Sequence, residues 1–229
     1  MSSTFINLTN TLLRRLNEVE IAEADFVGAR GVQALSKDAI RASIAKINQA
    51  EFEWPFNAAE HTQTLNVGQT EYTWPAFFKQ VDWNSFQIQA DSSLGVTFTH
   101  IGYIDRDLWY RDYRDDDFQA GAAGRAVPQF AFPAHGDGFG VTPSPDQAYS
   151  IKFRYYLNYS DLTQPDDVTR IPATYDNVII DGAMYHMYMF RDNMESAGIS
   201  AQAFQQGLKE MQTLLINKYE SISDTRVAY

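Results

Sequence analysis

Ala39-Ile40-Arg41-Ala42-Ser43-Ile44-Ala45-Lys46-Ile47-Asn48-Gln49-Ala50-Glu51-Phe52-Glu53-Trp54-Pro55-Phe56 is the stretch whose reading decides the fold. Ile40, Ile44 and Ile47 stand at i, i+4 and i+7, which puts them in one apolar stripe of a helix. Ser36 is placed to cap that helix, and Asp38 falls in its first turn, where negative charge suits the dipole. Pro55 disfavours helical geometry at Trp54, so a helix over about 37–53 ends in an aromatic-proline stop. Trp54, Pro55 and Phe56 are expected to form a structural anchor that fixes the exit of the chain, since aromatics beside a helix end are usually core.

Helical periodicity recurs on both sides. Phe5, Leu8, Leu12, Leu16 and Val19 mark a first helix over 5–19, and Gly28 and Gly31 break the irregular stretch after it. Near the other end, Ile171-Pro172 opens a helix with Ile179, Ile180, Ala183, Met184, Met187 and Phe190 on a broad apolar face. Gly198-Ile199-Ser200 reads as a break with Ser200 as the next cap, followed by Phe204, Leu208, Met211, Leu215 and Ile222 at helical spacing. No such helix buries its stripe alone. The expectation is therefore a four-helix bundle, built from an N-terminal pair (1–59) and a C-terminal pair with its tail (171–229).

Residues 60–170 change period. Thr62 to Val67 and Tyr72 to Trp74 flank Gly68-Gln69 like a hairpin, and Val81 to Gln89 alternates apolar and polar side chains over nine positions. Val96–Ile101 and Tyr149–Leu157 are further β-rich runs. Short strands between turn signals argue an inserted antiparallel β-sandwich or barrel, making the whole chain α+β. Residues 112–147, rich in Gly and Pro and carrying Asp115-Asp116-Asp117, read as a long loop or extended arm. Phe130, Phe132 and Phe139 suit an arm that orders on a neighbouring subunit.

The chain has 229 residues, 14% aromatic, with 13 Tyr and 15 Phe, which favours a structured β part or a large interface over disorder. It has no Cys, so structural disulfides and thiolate metal sites are excluded. Met1-Ser2-Ser3-Thr4-Phe5 has neither a basic region nor an apolar run and does not read as a signal peptide, and no apolar stretch has the length of a membrane span. Net charge is -11, and each of the segments 1–60, 61–170 and 171–229 carries an acidic excess. A clamp on nucleic-acid phosphates is thereby disfavoured; an acidic surface suits either plain solubility or a conduit along which DNA slides.

The motifs that could carry chemistry are weak. His61, His100, His135 and His186 show no metal-ligand spacing, and His135-Gly136-Asp137-Gly138-Phe139-Gly140 lacks a strand-to-helix frame. Asp105, Asp107, Asp112 and Asp115–Asp117 lack the Gly and distal Glu of a calcium loop and read as a solvated acidic loop partly neutralised by Arg106, Arg111 and Arg114. A hydrolase using carboxylates from 105–117 needs no sequence signature and stays open. Trp109, Tyr110 and Arg111 interleave aromatic and cationic character as interfaces do. Arg226, Val227 and Tyr229 give the tail sticky groups with nothing local to cover them.

The order "helix, Asn48-Gln49, acidic-aromatic, Trp54-Pro55-Phe56, then Gly68-Gln69 with Glu71-Tyr72" resembles bacteriophage head-to-tail adaptor (connector) proteins of the tail tubular protein A kind. Ile171-Pro172, then Tyr175-Asp176, then an apolar helix with Gly182-Ala183, is similar to the start of that family's C-terminal helix. The resemblance implies a structural virion protein of the neck: a homo-oligomeric ring, usually twelve-fold, under the portal protein. Such a ring extends the channel through which genomic DNA passes and meets a downstream tail protein, a nozzle, tail tube or terminator. It implies no catalysis, no cofactor, no metal and no membrane. Residues 112–147 fit the pattern poorly. The rival reading is a receptor- or carbohydrate-binding β module on a helical oligomerisation stem, with a groove lined by Trp83, Trp109 and Tyr110.

Overall fold

The computed structural model describes residues 3–91, 97–119, 124–158 and 161–216. The fold is mixed α+β, and the chain divides into two compact units, Met1–Asn57 with Tyr159–Tyr229, and Ala58–Asn158.

In the first unit α1 spans Phe5–Arg15 and α2 spans Val32–Ala50. The first free N–H groups of α1 are taken by the carbonyls of Asp167 (2.8 Å) and Pro165 (3.0 Å), so the helix starts against the segment that precedes the C-terminal helices. Its end is a left-handed cap at Asn17 (φ 56°). The Asn17 N–H reaches the Arg14 carbonyl and the Glu18 N–H the Leu13 carbonyl, closing the Schellman pair. The helix therefore stops short of Val19, which is 79% exposed instead of completing the stripe. Ile21 is buried in its place.

α2 begins earlier than the capping pattern suggests. Gly31 (φ 59°) starts it, and Ser36 is an interior residue whose hydroxyl donates to the Val32 carbonyl at 2.9 Å. Asp38 pairs with Arg41 at 3.1 Å. After Ala50 the backbone extends, and Pro55–Asn57 forms a single 3-10 turn. The Trp54 indole is fully buried, and its N–H donates to the Ile47 carbonyl at 2.7 Å, an acceptor otherwise orphaned near the helix end.

α5 (Asp176–Phe190) follows a 3-10 turn at Ala173–Tyr175, and α6 spans Met194–Leu215. The chain turns at Asp192 (φ 55°), and the Asn193 side chain accepts from the Ser196 N–H at 3.1 Å. The expected break at Gly198–Ser200 is thus placed too late: those residues are helical, because a filled cap upstream outweighs one exposed glycine. Side chains of α1, α2, α5 and α6 share one core around Phe5, Leu8, Leu12, Ile40, Ile44, Ile179, Ile180 and Met211. At Gly182 a Cβ would come within 2.3 Å of the Ser43 hydroxyl and 2.7 Å of the Phe204 ring, so α2, α5 and α6 approach closely only because that atom is missing.

The second unit holds two open sheets. The five-stranded one runs β1 (Ala58–Thr64), β9 (Ser150–Leu157), β4 (Gln87–Ile88), β5 (Thr99–His100), with β3 (Phe78–Val81) also on β9. The four-stranded one runs β2 (Glu71–Thr73), β8 (Gly138–Thr142), β7 (Phe130–Pro133), β6 (Gly102–Tyr103). Neither closes on itself among the described residues, so the barrel expectation is corrected. The β6–β7 pairing is parallel, against an all-antiparallel reading. Nor is there a hairpin at Gly68-Gln69: β1 pairs β9 and β2 pairs β8, so the Gly68 turn (φ 72°) passes the chain from one sheet to the other.

Val81–Gln89 is likewise broken in the middle. The Asp82 carboxylate accepts from the Asn84 N–H at 3.1 Å and starts a 3-10 turn at Trp83–Ser85, a local alternative to the ladder. β9 is the spine, and its burial alternates as its sequence does.

The extended arm over 112–147 is not what the chain builds. α4 (Arg114–Gln119), β7 and β8 lie there, and β8 is buried at every position. Glycine is what allows it. A Cβ on Gly138 would stand 2.2 Å from the Tyr72 carbonyl oxygen, and one on Gly140 would stand 2.2 Å from the Phe132 ring. These glycines are packing positions, not flexible joints.

Candidate functional site

The residues proposed for an interface separate into interior and surface. Trp109, on α3 (Arg106–Asp112), is 2% exposed, stacks on Phe132 at 4.3 Å and 17°, and its indole N–H donates to Asp117 at 2.9 Å. Phe132 and Phe139 are fully buried, and Phe130 is packed against the Trp109 cluster. As free interface groups Trp109, Phe132 and Phe139 are therefore corrected: each is needed to fill a core built from short strands. Tyr110 and Arg111 are exposed; Arg111 pairs with Asp112 at 2.7 Å, and the Arg114 guanidinium lies 5.1 Å from the Tyr110 ring. Arg226, Val227 and Tyr229 lie outside the described residues, as does the tail from 217 onward. Trp54 and Phe56 stack at 5.3 Å, with Trp54 in the core of the helical unit.

Three acidic residues of 105–117, namely Asp105, Asp112 and Asp117, are individually occupied. Asp105 caps α3 by accepting from the Asp107 N–H at 2.8 Å, and Asp112 holds Arg111, which keeps its carboxyl below the usual range. Asp117 accepts from Trp109 and from the Ser144 N–H at 2.9 Å. Among the described residues no three His, Cys, Asp or Glu side chains stand together as a metal site would need. His135 sits beside Arg106 (3.1 Å) on the surface. His186 is half-buried, and burial, then the nearby Lys46, pushes it below the ordinary histidine value. Trp83 stacks on Phe86 at 5.5 Å, and Trp109 is buried, so Trp109 does not line an open groove as the carbohydrate-binding reading requires.

Two concavities stand out. One, of about 500 Å³, lies between α2, α5 and α6 and is lined by Lys46, Tyr185, Phe204 and Leu208 among others, with the Lys46 ammonium 5.1 Å from the Tyr185 ring. The other, about 430 Å³ and more polar, lies in the β unit between Asn66, Gln69, Glu71, His135 and Asp137. Sequence reasoning missed the surface apolar groups: Phe98, Phe190, Met194, Ile199 and Leu214 are strongly exposed. Their spacing was legible, but a helix or strand residue shows its partner only once the neighbouring elements are placed.

The family model for SU10 adaptor protein matches residues 3–226, and the chain belongs to that family, a bacteriophage head-to-tail adaptor. No curated protein matches the sequence. Among the described residues no helix is long and apolar enough to cross a membrane.

Proposed function

We propose that the protein is a ring subunit of the virion neck, seated beneath the portal, that joins capsid to tail. The observation that carries this reading is the adaptor-family match over nearly the whole chain. In this reading the copies assemble in the host cytoplasm into a closed twelve-fold ring, extend the DNA channel, and offer their lower face to the next tail protein. A subunit of such a ring has two different faces for its two neighbours. The net charge of -11 supports a channel wall that repels DNA instead of gripping it. The role asks for no catalytic step, cofactor or metal.

The shared core of α1, α2, α5 and α6 supports a four-helix bundle as the rigid body of the subunit, with the two sheets packed as a sandwich inserted into it. The tail beyond Ile222, ending in Val227-Ala228-Tyr229, is assigned to portal docking. The purified chain mixed with portal rings and imaged by electron microscopy tests the reading: a stacked second ring is expected, and portal rings left bare overturn it. Deleting residues 223–229 should leave a folded chain that no longer docks. Unchanged docking of the truncated chain removes the tail from the contact and leaves the helical face.

A further inference from the structure

Among the described residues, the β1 edge and the β5 edge of the five-stranded sheet match each other. In β1, the Leu65 N–H reaches the Tyr149 carbonyl at 2.7 Å, which fixes the odd residues of the strand as those facing β9. Ala58, Glu60 and Thr62 therefore turn their N–H and C=O groups away from the sheet. All three are exposed, and among the described residues none of these backbone groups has a partner. At the opposite edge the Ile101 N–H reaches the Phe86 carbonyl at 2.9 Å, so Thr99 and Ile101 face β4 while Phe98 and His100 face outward. Both are exposed, Phe98 by 63%, an unusual surface for an edge strand to leave bare.

Strand direction makes the edges complementary. β1, β9, β4 and β5 alternate in direction along the path, each pair antiparallel. Four is even, so β5 runs opposite to β1, and a β1 placed beside the β5 of another copy continues the alternation. The side-chain faces also agree. Register runs Thr62, Lys152, Gln87, His100 straight across the sheet, so the outward-bonding residues of both edges carry their side chains on the same polar face. Joined this way, the inner apolar face stays inner.

We propose that adjacent subunits join edge to edge, β1 of one copy adding to β5 of the next, so that the ring carries a continuous antiparallel belt of backbone hydrogen bonds. The proposal rests on the ring reading above and names its subunit contact. A head-to-tail contact of this kind propagates around a ring, whereas β1 meeting β1 would stop at a two-fold dimer.

The chain has no cysteine, so introduced thiols report one contact without background. Within one copy, residues 62 and 100 lie three strand spacings apart, about 14 Å, too far for an internal disulfide. A chain with Thr62→Cys and His100→Cys, assembled on portal rings and gently oxidised, is expected to give a ladder of covalent multimers well beyond the dimer. Glu60→Cys with His100→Cys tests the register shifted by one pair. Rings that form but give no ladder in either register overturn the edge contact while the ring reading stands. Covalent dimers from Thr62→Cys alone identify two-fold pairing and overturn it too. Absence of any ring, in wild type as well, removes both readings. Thr62→Pro gives a second arm, because proline is tolerated on an edge strand where the lost N–H faces solvent. It should keep the wild-type circular dichroism and melting temperature, yet need about tenfold or more higher concentration to assemble. Wild-type assembly by a folded Thr62→Pro chain overturns the proposal; if that variant does not fold, the cross-linking decides.

Discussion

The helical unit fills its interior with aliphatic side chains, whereas the β unit fills its interior with rings. Leu8, Leu12, Leu13, Ile40, Ile44, Ile47, Ile179 and Ile180 dominate the first core. In the second, Phe86 stacks on Phe153 at 4.7 Å, Phe139 meets Phe153 edge-on at 5.3 Å, and Trp74 lies flat on Phe78 at 4.2 Å. The difference follows from element length. A helix of 19 residues such as α2 presents many modest side chains along one face. Apart from β1, β8 and β9, the strands have two to four residues and present one or two inward side chains, so each must cover more area. A core of few large pieces concentrates its stability in few positions.

The sharpest break of that comparison is Phe153→Ala. This ring contacts Phe86, Phe139, Trp74 and Tyr155 at once and is essentially buried. A loss of about 3–5 kcal/mol is expected by chemical denaturation. Ile44→Ala, in the distributed core, is expected to cost about 2–5 kcal/mol, toward the lower half of that range because neighbouring aliphatic side chains share the load. An Ile44 loss exceeding that of Phe153 would show that the helical core is the concentrated one. Gly182→Ala tests the close packing of α2, α5 and α6. The added methyl has to displace the Ser43 hydroxyl or the Phe204 ring, at a cost of about 1–3 kcal/mol, and a neutral result would mean the helices separate freely.

The helical unit also carries its own response to acid. Burial, then Lys46, holds the folded-state value of His186 below its ordinary 6.5. As pH falls through 6.5 the unfolded chain binds the proton first, so the helical unit should lose stability on acidification. His186→Leu should flatten that slope in melts recorded across the same range. Asp176 and Asp181, both raised by burial, act in the opposite sense lower in the carboxylate range, where the folded form holds protons the unfolded form has released. Smallest of all is Val19→Ser, expected within about 0.5 kcal/mol because the side chain is exposed. A larger loss would return Val19 to the stripe from which the Asn17 cap removes it.

The same contrast explains what could be read from the residues alone. The apolar stripes of α1, α2 and α5 are periodic, and period is a local property, so those helices were visible with ends misplaced by a few residues. The ends depended on Asn17, Gly31 and Asn193, single caps that compete with plausible neighbours such as Ser36 and Ser200. In the β unit the long alternation of β9 was legible, but its partners were not. Register between β1 and β9 joins residues 86 to 98 positions apart, from Thr64 with Ser150 to Ala58 with Tyr156, and no local signal encodes that. Gly138 and Gly140 looked like loop residues because composition cannot tell a flexible glycine from one pressed against a ring. Of the candidate surface groups, Tyr110 and Arg111 remained accessible, while Trp109, Phe132 and Phe139 turned inward for the same reason that makes the core aromatic.

The β1–β9 ladder has a consequence for descent. The strand by which the chain leaves the helical unit and the strand by which it returns are neighbours, Ala58 standing directly opposite Tyr156. Antiparallel partners are separated by only about 5 Å at the Cα atoms. The whole inserted unit therefore hangs from two points that a tight turn could bridge, and its length barely affects the closure that the helices must tolerate. Such an insert can be shortened, enlarged or exchanged for another without rewriting the helices around it. Selection can thus alter one half of the molecule while the other half stays fixed.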